Sequence, residues 1–224
     1  MNPQPADGIM PMPLSEELVP ITGRRPLAVG TKRLVDAVGS AVGLALLLPL
    51  FAVIALLIKF EDGGPIVYRR RVVGRKGEFN AYKFRSMCPT ADARLQSNPA
   101  MLAEFTRNFK LVNDPRVTRI GTLLRSTSLD ELPQLVNVLA GQMSLIGPRM
   151  ITRAELVKYG ESTPMLLTVR PGMTGYWQTQ GRQKASYEER VRMDMHYIRN
   201  WSLLLDLKIL LKTPWAVLKR EGAY

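Results

Sequence analysis

The sequence predicts an α-rich α+β domain with a small β-hairpin or sheet, interfacial amphipathic helices and an apolar membrane segment near the N-terminus. Three observations carry this reading. Two strand-like runs, residues 66–73 and 78–85, flank the turn Gly74-Arg75-Lys76-Gly77. Helix-start signals recur further on: Asn98-Pro99, and Ser-x-x-Glu at Ser128/Glu131 and at Ser186/Glu189. Residues 34–58 form one apolar run whose only charge is Asp36. A chain of 224 residues is long enough for one good core.

The elements follow in order. Residues 1–26 hold six prolines and lack the basic start and immediate apolar run of a secretory signal. Residues 1–30 therefore read as a mostly disordered leader. The apolar run would measure roughly 37 Å as a helix, enough to cross a bilayer. Pro49 interrupts it and cannot keep its hydrogen bond to the preceding turn. Both flanks are basic: Arg24, Arg25, Lys32 and Arg33 before, Lys59, Arg69, Arg70, Arg71, Arg75 and Lys76 after. The positive-inside tendency then asks for both ends in the cytoplasm. On the residues alone two forms stand: a kinked span, and a re-entrant helix over residues 31–60 that bends near Pro49.

Gly63-Gly64-Pro65 breaks the chain before the hairpin. The second strand ends in Lys83-Phe84-Arg85-Ser86-Met87, which taken alone reads as a solvated basic edge. Asn98-Pro99 opens a helix with Met101, Leu102, Phe105 and Phe109 on one stripe and Arg107 and Lys110 nearby, suited to core packing or to a lipid interface. A helix is expected over 129–140, stopped by Gly141, and a short one over 154–159. Residues 170–175 form a loop with backbone freedom, followed by Tyr176-Trp177-Gln178 and Gly181-Arg182. That stretch reads either as a turn with a structural tryptophan or as a phosphate grip. A helix from Ser186 reaches about Asn200. The last begins at Ser202, and its leucines, lysines and Trp215 suit a protein–lipid boundary.

Composition narrows the chemistry. The formal net charge of +12 favours an anionic partner. A single cysteine, Cys88, excludes an intramolecular disulfide and suggests a reducing compartment. With His196 the single histidine, there is no usual Cys/His zinc set, and a Ser-His-Asp triad would have to use a residue that reads as a structural helix position.

The densest chemistry lies at Asp130 and Glu131, with Arg125 just before and Arg149 soon after. Adjacent carboxylates flanked by arginines suit attack on a phosphoryl group and the metal that neutralises it. Helix capping by Ser128 and Glu131 is the plainer reading. Capping explains Glu131 but neither Asp130 nor the arginines. In the first turn of a helix over 129–140, Asp130 would also feel the positive helix end, which favours its ionised form.

The ordered set Lys83-Phe84-Arg85-Ser86-Met87, Asp114-Pro115-Arg116-Val117-Thr118, Ser128-Leu129-Asp130-Glu131-Leu132-Pro133-Gln134, Ser144-Leu145-Ile146-Gly147-Pro148-Arg149, Arg170-Pro171-Gly172-Met173-Thr174-Gly175, Gly181-Arg182 and Asn200-Trp201-Ser202 with Asp206 resembles one family. It is that of the small monotopic bacterial sugar transferases, or polyprenyl-phosphate phosphoglycosyl transferases, and covers residues 30–224. The likeness is greatest to exopolysaccharide galactose-phosphate transferases of the succinoglycan type. The resemblance implies transfer of a sugar-1-phosphate, galactose or glucose, from a UDP-sugar to undecaprenyl phosphate with release of UMP. It implies Asp130 as the nucleophile of a covalent phosphosugar intermediate and Glu131 as a ligand of Mg²⁺. Lys83, Arg85, Arg125, Arg149, Arg170, Gly172 and Arg182 become candidate phosphate or nucleotide contacts.

The same resemblance implies a catalytic domain over 61–224 and a re-entrant helix broken at Pro49. It places the protein on the cytoplasmic face of the bacterial inner membrane, against its lipid and without nucleic acid, and leaves a homo-oligomer open. Two departures stand out: Leu48-Pro49 replaces the family's usual Ser-Pro, and Met150 replaces the proline that usually follows Gly-Pro-Arg. The rival reading, a non-catalytic basic membrane-surface protein binding anionic lipid or nucleic acid, rests on charge alone.

Overall fold

The computed structural model describes residues 26–109, 111, 113–180 and 186–218; the leader to residue 25, Lys110 and Arg182 fall outside them. Helix α1, Pro26–Asp62, takes in the whole apolar run, with Pro49 inside it and helix on both sides. In this helix only Asp36, Ser40, Ile54 and Ile58 are buried. Leu34, Val38, Val42, Leu46, Val53 and Leu56 stay exposed.

Both ends of α1 nevertheless hold the rest of the chain. Near its start Asp36 accepts from the Ser144 hydroxyl at 2.8 Å and the Leu145 amide at 3.0 Å. Near its end Ile54 and Ile58 pack with Phe84 and Leu124, and Phe51 meets Phe84 edge-on at 5.3 Å. The helix stops where Gly63 turns left-handed (φ 72°) and the Asp62 carboxylate accepts from the Gly64 amide at 3.0 Å. Such a termination needs no side-chain cap beyond Asp62 itself.

Strands β1 (Val67–Gly74) and β2 (Gly77–Phe84) form the expected antiparallel hairpin, closed by Arg75-Lys76, with Val72 opposite Phe79 and Arg70 opposite Ala81. Val72, Phe79 and Ala81 pack on Val138, Met143 and Met150. Met150 is therefore an anchor: its buried side chain seats the segment after Arg149 where a proline ring would only have fixed one dihedral.

Between hairpin and site lie α2 (Ala91–Gln96), α3 (Pro99–Asn108) and α4 (Arg119–Ser126). Asn98 caps α3 as expected, accepting from the Met101 amide at 3.1 Å. The Asp114-Pro115-Arg116 motif is a buried ion pair, Arg116 donating to both oxygens of Asp114 at 2.8 and 2.7 Å. The Arg116 guanidinium also lies 5.5 Å from the centre of the Phe105 ring, so the aromatic stripe of α3 is held to the domain.

Helix α5 (Gln134–Leu139) lies along the free edge of β2. Asn137, fully buried, stands in for a third strand: its Oδ1 accepts from the Tyr82 amide at 2.9 Å and its Nδ2 donates to the Asn80 carbonyl at 2.8 Å. The C-terminal carbonyls of α5 are covered by arginines. Arg33 donates to Val138 and Leu139 at 2.6 and 2.7 Å, and Arg170 to Gly141 at 2.8 Å.

The loop expected over 170–175 contains strand β4 (Gly172–Thr174), paired in parallel with β3 (Ser144–Ile146). Helix α6 (Thr163–Leu167) separates them. The short helix expected over 154–159 is a pair of 3₁₀ turns, Arg153–Lys158 and Gly160–Ser162, the first started by a Thr152/Glu155 capping box. Helix α7 (Tyr176–Thr179) precedes α8 (Tyr187–Arg199), which starts with the expected Ser186/Glu189 box. The final helix, α9 (Leu203–Leu218), turns Asp206 and Ile209 inward and leaves Leu204, Leu207, Leu211 and Trp215 exposed.

Replacing Asn137 by alanine would strand the Tyr82 amide and the Asn80 carbonyl in a closed interior, at a cost of roughly 1–3 kcal/mol for each buried group left unpaired. The expected thermal midpoint in detergent falls by about 5–10 °C, read by scanning fluorimetry. A midpoint unchanged from wild type would show that the amide bridge is dispensable.

Candidate active site

The chain between α4 and α5 does not form the single helix expected over 129–140. Ser128 adopts φ 57°, its side chain caps nothing, and Leu129–Glu131 makes one isolated 3₁₀ turn before Pro133 starts α5. Pro133 lies at the break: it has no N–H to give the Leu129 carbonyl, which disfavours one continuous helix, and it is the N-cap of α5. Ser128 takes up the break in a left-handed conformation that costs a non-glycine residue roughly 1–3 kcal/mol. The Ser128/Glu131 capping box is thus absent, and Asp130 sits in a tight corner instead of at the N-terminus of a long helix. Its ionisation has to be governed by side chains.

Those side chains arrive from three elements. Lys83, near the end of β2, donates to Glu131 Oε1 at 2.5 Å and to Asp130 Oδ2 at 3.5 Å. Arg149, just after β3, brings Nη1 to 4.0 Å from Glu131 Oε1. Arg125, at the end of α4, donates to the Ser86 hydroxyl at 2.9 Å and acts electrostatically on Asp130. The Asp130 side chain keeps 10% of its exposure, Glu131 18% and Arg149 30%, so the cluster opens toward solvent on the Glu131–Arg149 side.

The two acids sit differently. Burial pushes the Asp130 carboxyl above the usual carboxylate range, and the charge of Glu131 adds to this against Lys83 and Arg125. Burial acts on Glu131 too, but Lys83 and Arg149 outweigh it and hold Glu131 below its ordinary value. One carboxylate is held as an anion while its neighbour keeps a heightened affinity for a proton. Two adjacent carboxylates at an open edge also suit a hard cation that takes its remaining ligands from phosphate and water. Among the described residues no three His, Cys, Asp or Glu side chains gather as a closed metal site.

The family profile described as bacterial sugar transferase matches residues 27–220. The chain belongs to this family. It is 45% identical over 205 residues to the exopolysaccharide production protein ExoY of Sinorhizobium fredii, covering 89% of this chain and 91% of that one. It is 47% identical over 198 residues to the UDP-galactose-lipid carrier transferase of Erwinia amylovora, covering 86% of this chain and 41% of that protein. Against the undecaprenyl-phosphate galactose phosphotransferase of Salmonella typhimurium it is 46% identical over 198 residues, with 86% and 41% covered. The chain thus spans nearly the whole of ExoY and well under half of the two longer transferases.

In this bacterial sugar transferase the candidate phosphate contacts do not all converge. Lys83 and Arg149 meet at Asp130 and Glu131, and Arg125, bonded to Ser86, acts on Asp130 through its charge. Arg85 does not: its guanidinium is spent on Asp62, on the Pro65 carbonyl at 2.5 Å and on the Met87 carbonyl at 3.0 Å, where it clamps the exit of α1. Arg170 caps α5, beside Arg33 and Arg75. Gly172 faces backbone, since a Cβ there would meet the Gly147 nitrogen at 2.1 Å; it is a close strand contact and offers no room for a ligand. Arg182 lies outside the described residues.

Beside Arg149 lies an aromatic and ionic layer that sequence reading passed over. The Arg149 guanidinium stands 5.8 Å from the Trp177 ring, and Arg190 stands 5.6 Å from the same ring. Buried Asp194, pushed up to about 6 by its burial, takes the Tyr159 hydroxyl at 2.7 Å. Ser186/Glu189 signalled the helix carrying Arg190 and Asp194, but nothing signalled which of its faces turns inward.

Lys83 is the one cation hydrogen-bonded to the acid pair among the described residues. In Lys83→Met both carboxyls would hold their protons to higher pH in the folded state than in the unfolded chain. Stability from such raised groups is full below the ordinary carboxylate range and is lost as pH rises through the raised values. In the wild type the lowered Glu131 contributes in the opposite direction, stabilising above that range. The thermal midpoint of Lys83→Met, relative to wild type, is therefore expected to be lower at pH 8 than at pH 4.5. An equal offset at both pH values would refute this assignment.

Proposed function

We propose that the protein transfers a hexose-1-phosphate, galactose or glucose, from a UDP-sugar to undecaprenyl phosphate at the cytoplasmic face of the inner membrane, releasing UMP. The observation that carries this reading is the meeting of Asp130 and Glu131 with Lys83, Arg125 and Arg149 at one partly open corner. A surface that merely binds anionic lipid has no need of a buried acid and its half-buried neighbour among its cations. The Erwinia and Salmonella relatives, named for galactose and a lipid carrier or undecaprenyl phosphate, support the same chemistry.

The reaction proceeds in two displacements. An Asp130 carboxylate oxygen attacks the phosphorus that carries the sugar. The bond from that phosphorus to the bridging oxygen breaks, and its electron pair leaves with UMP. An acyl phosphate now joins Asp130 to the sugar phosphate. A phosphate oxygen of the polyprenyl carrier then attacks the same phosphorus, and the carboxylate departs in its original state. Splitting the transfer lets a soluble donor and a lipid acceptor use the corner in turn. Arg149 and Arg125 neutralise charge on the diphosphate as it breaks, and Lys83 keeps Glu131 anionic and oriented. Glu131, with Asp130 beside it, would hold Mg²⁺, which when bound supplies further neutralisation of phosphate charge.

The contacts of α1 support a re-entrant topology. Its first half is tied to β3 through Asp36 and its last turns to Phe84, Leu124 and Arg85, all in one domain. A helix crossing the bilayer would leave one end out of reach of that domain. We therefore read α1 as re-entrant, entering and leaving one leaflet with its turning point near Pro49, while exposed leucines of α9 rest in the same interface.

Incubation of the detergent-solubilised protein with UDP-galactose, UDP-glucose and Mg²⁺, without lipid acceptor, is expected to add one hexose phosphate to Asp130 by mass spectrometry. Asp130→Asn should show no adduct and at least ~10³-fold slower UMP release, the scale of losing a nucleophile. Turnover without any adduct would reject the two-step route. For topology, Gly30→Cys and Arg69→Cys in a Cys88→Ser background should both resist an impermeant maleimide in spheroplasts and react after permeabilisation. Labelling of position 30 from outside would establish a span.

A further inference from the structure

Three arginines run in sequence after the apolar helix, and the hairpin register separates them. Arg69 and Arg71 lie on the face of β1 that carries Val73, and Arg71 pairs at 3.1 Å with exposed Glu78. Arg70 lies opposite Ala81, two positions along β2 from Lys83, so Arg70 and Lys83 share the other face. That face carries the ammonium that holds Asp130 and Glu131.

Arg70 is held but not spent. Its Nη2 donates to Glu155 Oε2 at 3.1 Å, and its side chain keeps 27% of its exposure. Glu155 is a rigid post: buried, it also accepts from the Thr152 amide at 2.8 Å, from the Thr152 hydroxyl at 2.9 Å and from the Tyr187 hydroxyl at 3.4 Å. A guanidinium has five N–H donors; this one shows a single hydrogen bond among the described residues. Arg85, Arg116 and Arg33 each commit two or more donors to carboxylates or backbone carbonyls.

Arg70 also lies within electrostatic reach of the corner, where its charge favours the Glu131 anion and opposes that of Arg125. An arginine with unused donors, on the face of the hairpin that carries Lys83, suits a phosphate oxygen beside the acid pair.

We infer that Arg70 is a further anion-binding residue of the site, pre-oriented by Glu155 to grip the diphosphate of the nucleotide-sugar donor. This rests on the UDP-sugar reading above and adds a residue to it. The grip is bidentate in kind, so lysine, a point charge on a flexible stem, replaces it only in part.

The test compares UDP with uridine as ligands of the detergent-solubilised full chain, by isothermal titration or by competition against UMP release. Arg70→Gln is expected to weaken UDP binding about 10- to 50-fold, the usual loss for a charge-assisted bond, while uridine binding changes less than about twofold. Arg70→Lys should fall between wild type and Arg70→Gln, and it keeps the inference testable should the glutamine variant fail to fold. Arg71→Gln, the same charge change on the opposite face, should bind UDP as wild type does. Arg70 variants that bind UDP normally, or that lose UDP and uridine in equal measure as a purely structural pair with Glu155 would, overturn the inference and leave the proposed function standing. A wild-type chain that binds UDP no better than uridine and releases no UMP from any UDP-sugar overturns the function, and the inference with it.

Discussion

One ammonium group shared by two adjacent carboxylates is the interaction on which the site depends. Lys83 sits 2.5 Å from Glu131 and 3.5 Å from Asp130, and the asymmetry decides what each acid is. The nearer one is held ionised and in place. The farther one is left with burial and a neighbouring negative charge, so its oxygen holds a proton more strongly than an exposed aspartate does. An exposed pair would be two nearly equal acids, screened by water. The tight corner between Ser128 and Pro133 is what makes them unequal, because it turns Asp130 inward and leaves Glu131 at the edge.

That corner is only as well placed as the three elements that meet it, and each is fastened to something rigid. Asn137 ties α5 to β2, so the turn carrying the acids and the strand carrying Lys83 move as one. Arg149 follows β3, whose first residues are gripped by Asp36 from inside the apolar helix. Beside Asp36, Lys32 pairs with Asp206 of α9 at 2.7 Å, and Asp206 accepts in turn from Tyr197 at 2.8 Å and Trp201 at 3.1 Å. Charged groups in so dry a place are costly unless each has a partner. Here the chain of partners runs from the membrane helix to the last helix and passes under β3. The apolar helix is therefore part of the scaffold of the site as well as its anchor.

Much of this could be read from residues close in sequence. Gly74-Arg75-Lys76-Gly77 between alternating runs described the hairpin, Asn98-Pro99 the start of α3, and Ser186/Glu189 the start of α8, because each rests on bonds within four residues. Asp130 beside Glu131, among arginines, was legible for the same reason. What escaped depends on distant partners. β3 and β4 pair residues near 144 with residues near 172, and three-residue strands leave no alternation to detect. Pro133 was in plain view, yet the Ser128/Glu131 spacing reads as the start of one helix through it, where the chain makes a separate turn and then α5. Arginines were the least legible of all. Arg85, Arg125, Arg149 and Arg170 look alike in a motif, yet one clamps Asp62, one caps α5 and two reach the acids, a division set by which carbonyls and carboxylates the fold leaves open. Arg70 was hidden inside a run of three, and only the pairing register singles it out.

The apolar surface then acquires a specific meaning. A helix that faces lipid on most of its circumference needs no polar residue, yet α1 buries Asp36 and Ser40 on its single protein-facing stripe, and α9 does the same with Asp206. In both helices acidic groups are turned inward beside isoleucines while leucines face outward. Such helices cannot leave the domain and stand alone in a bilayer without dragging unpaired charge into hydrocarbon. Nor can the domain leave the membrane without exposing those leucines to water. The two penalties act in opposite directions, and together they keep the domain that carries the acid corner beside the membrane.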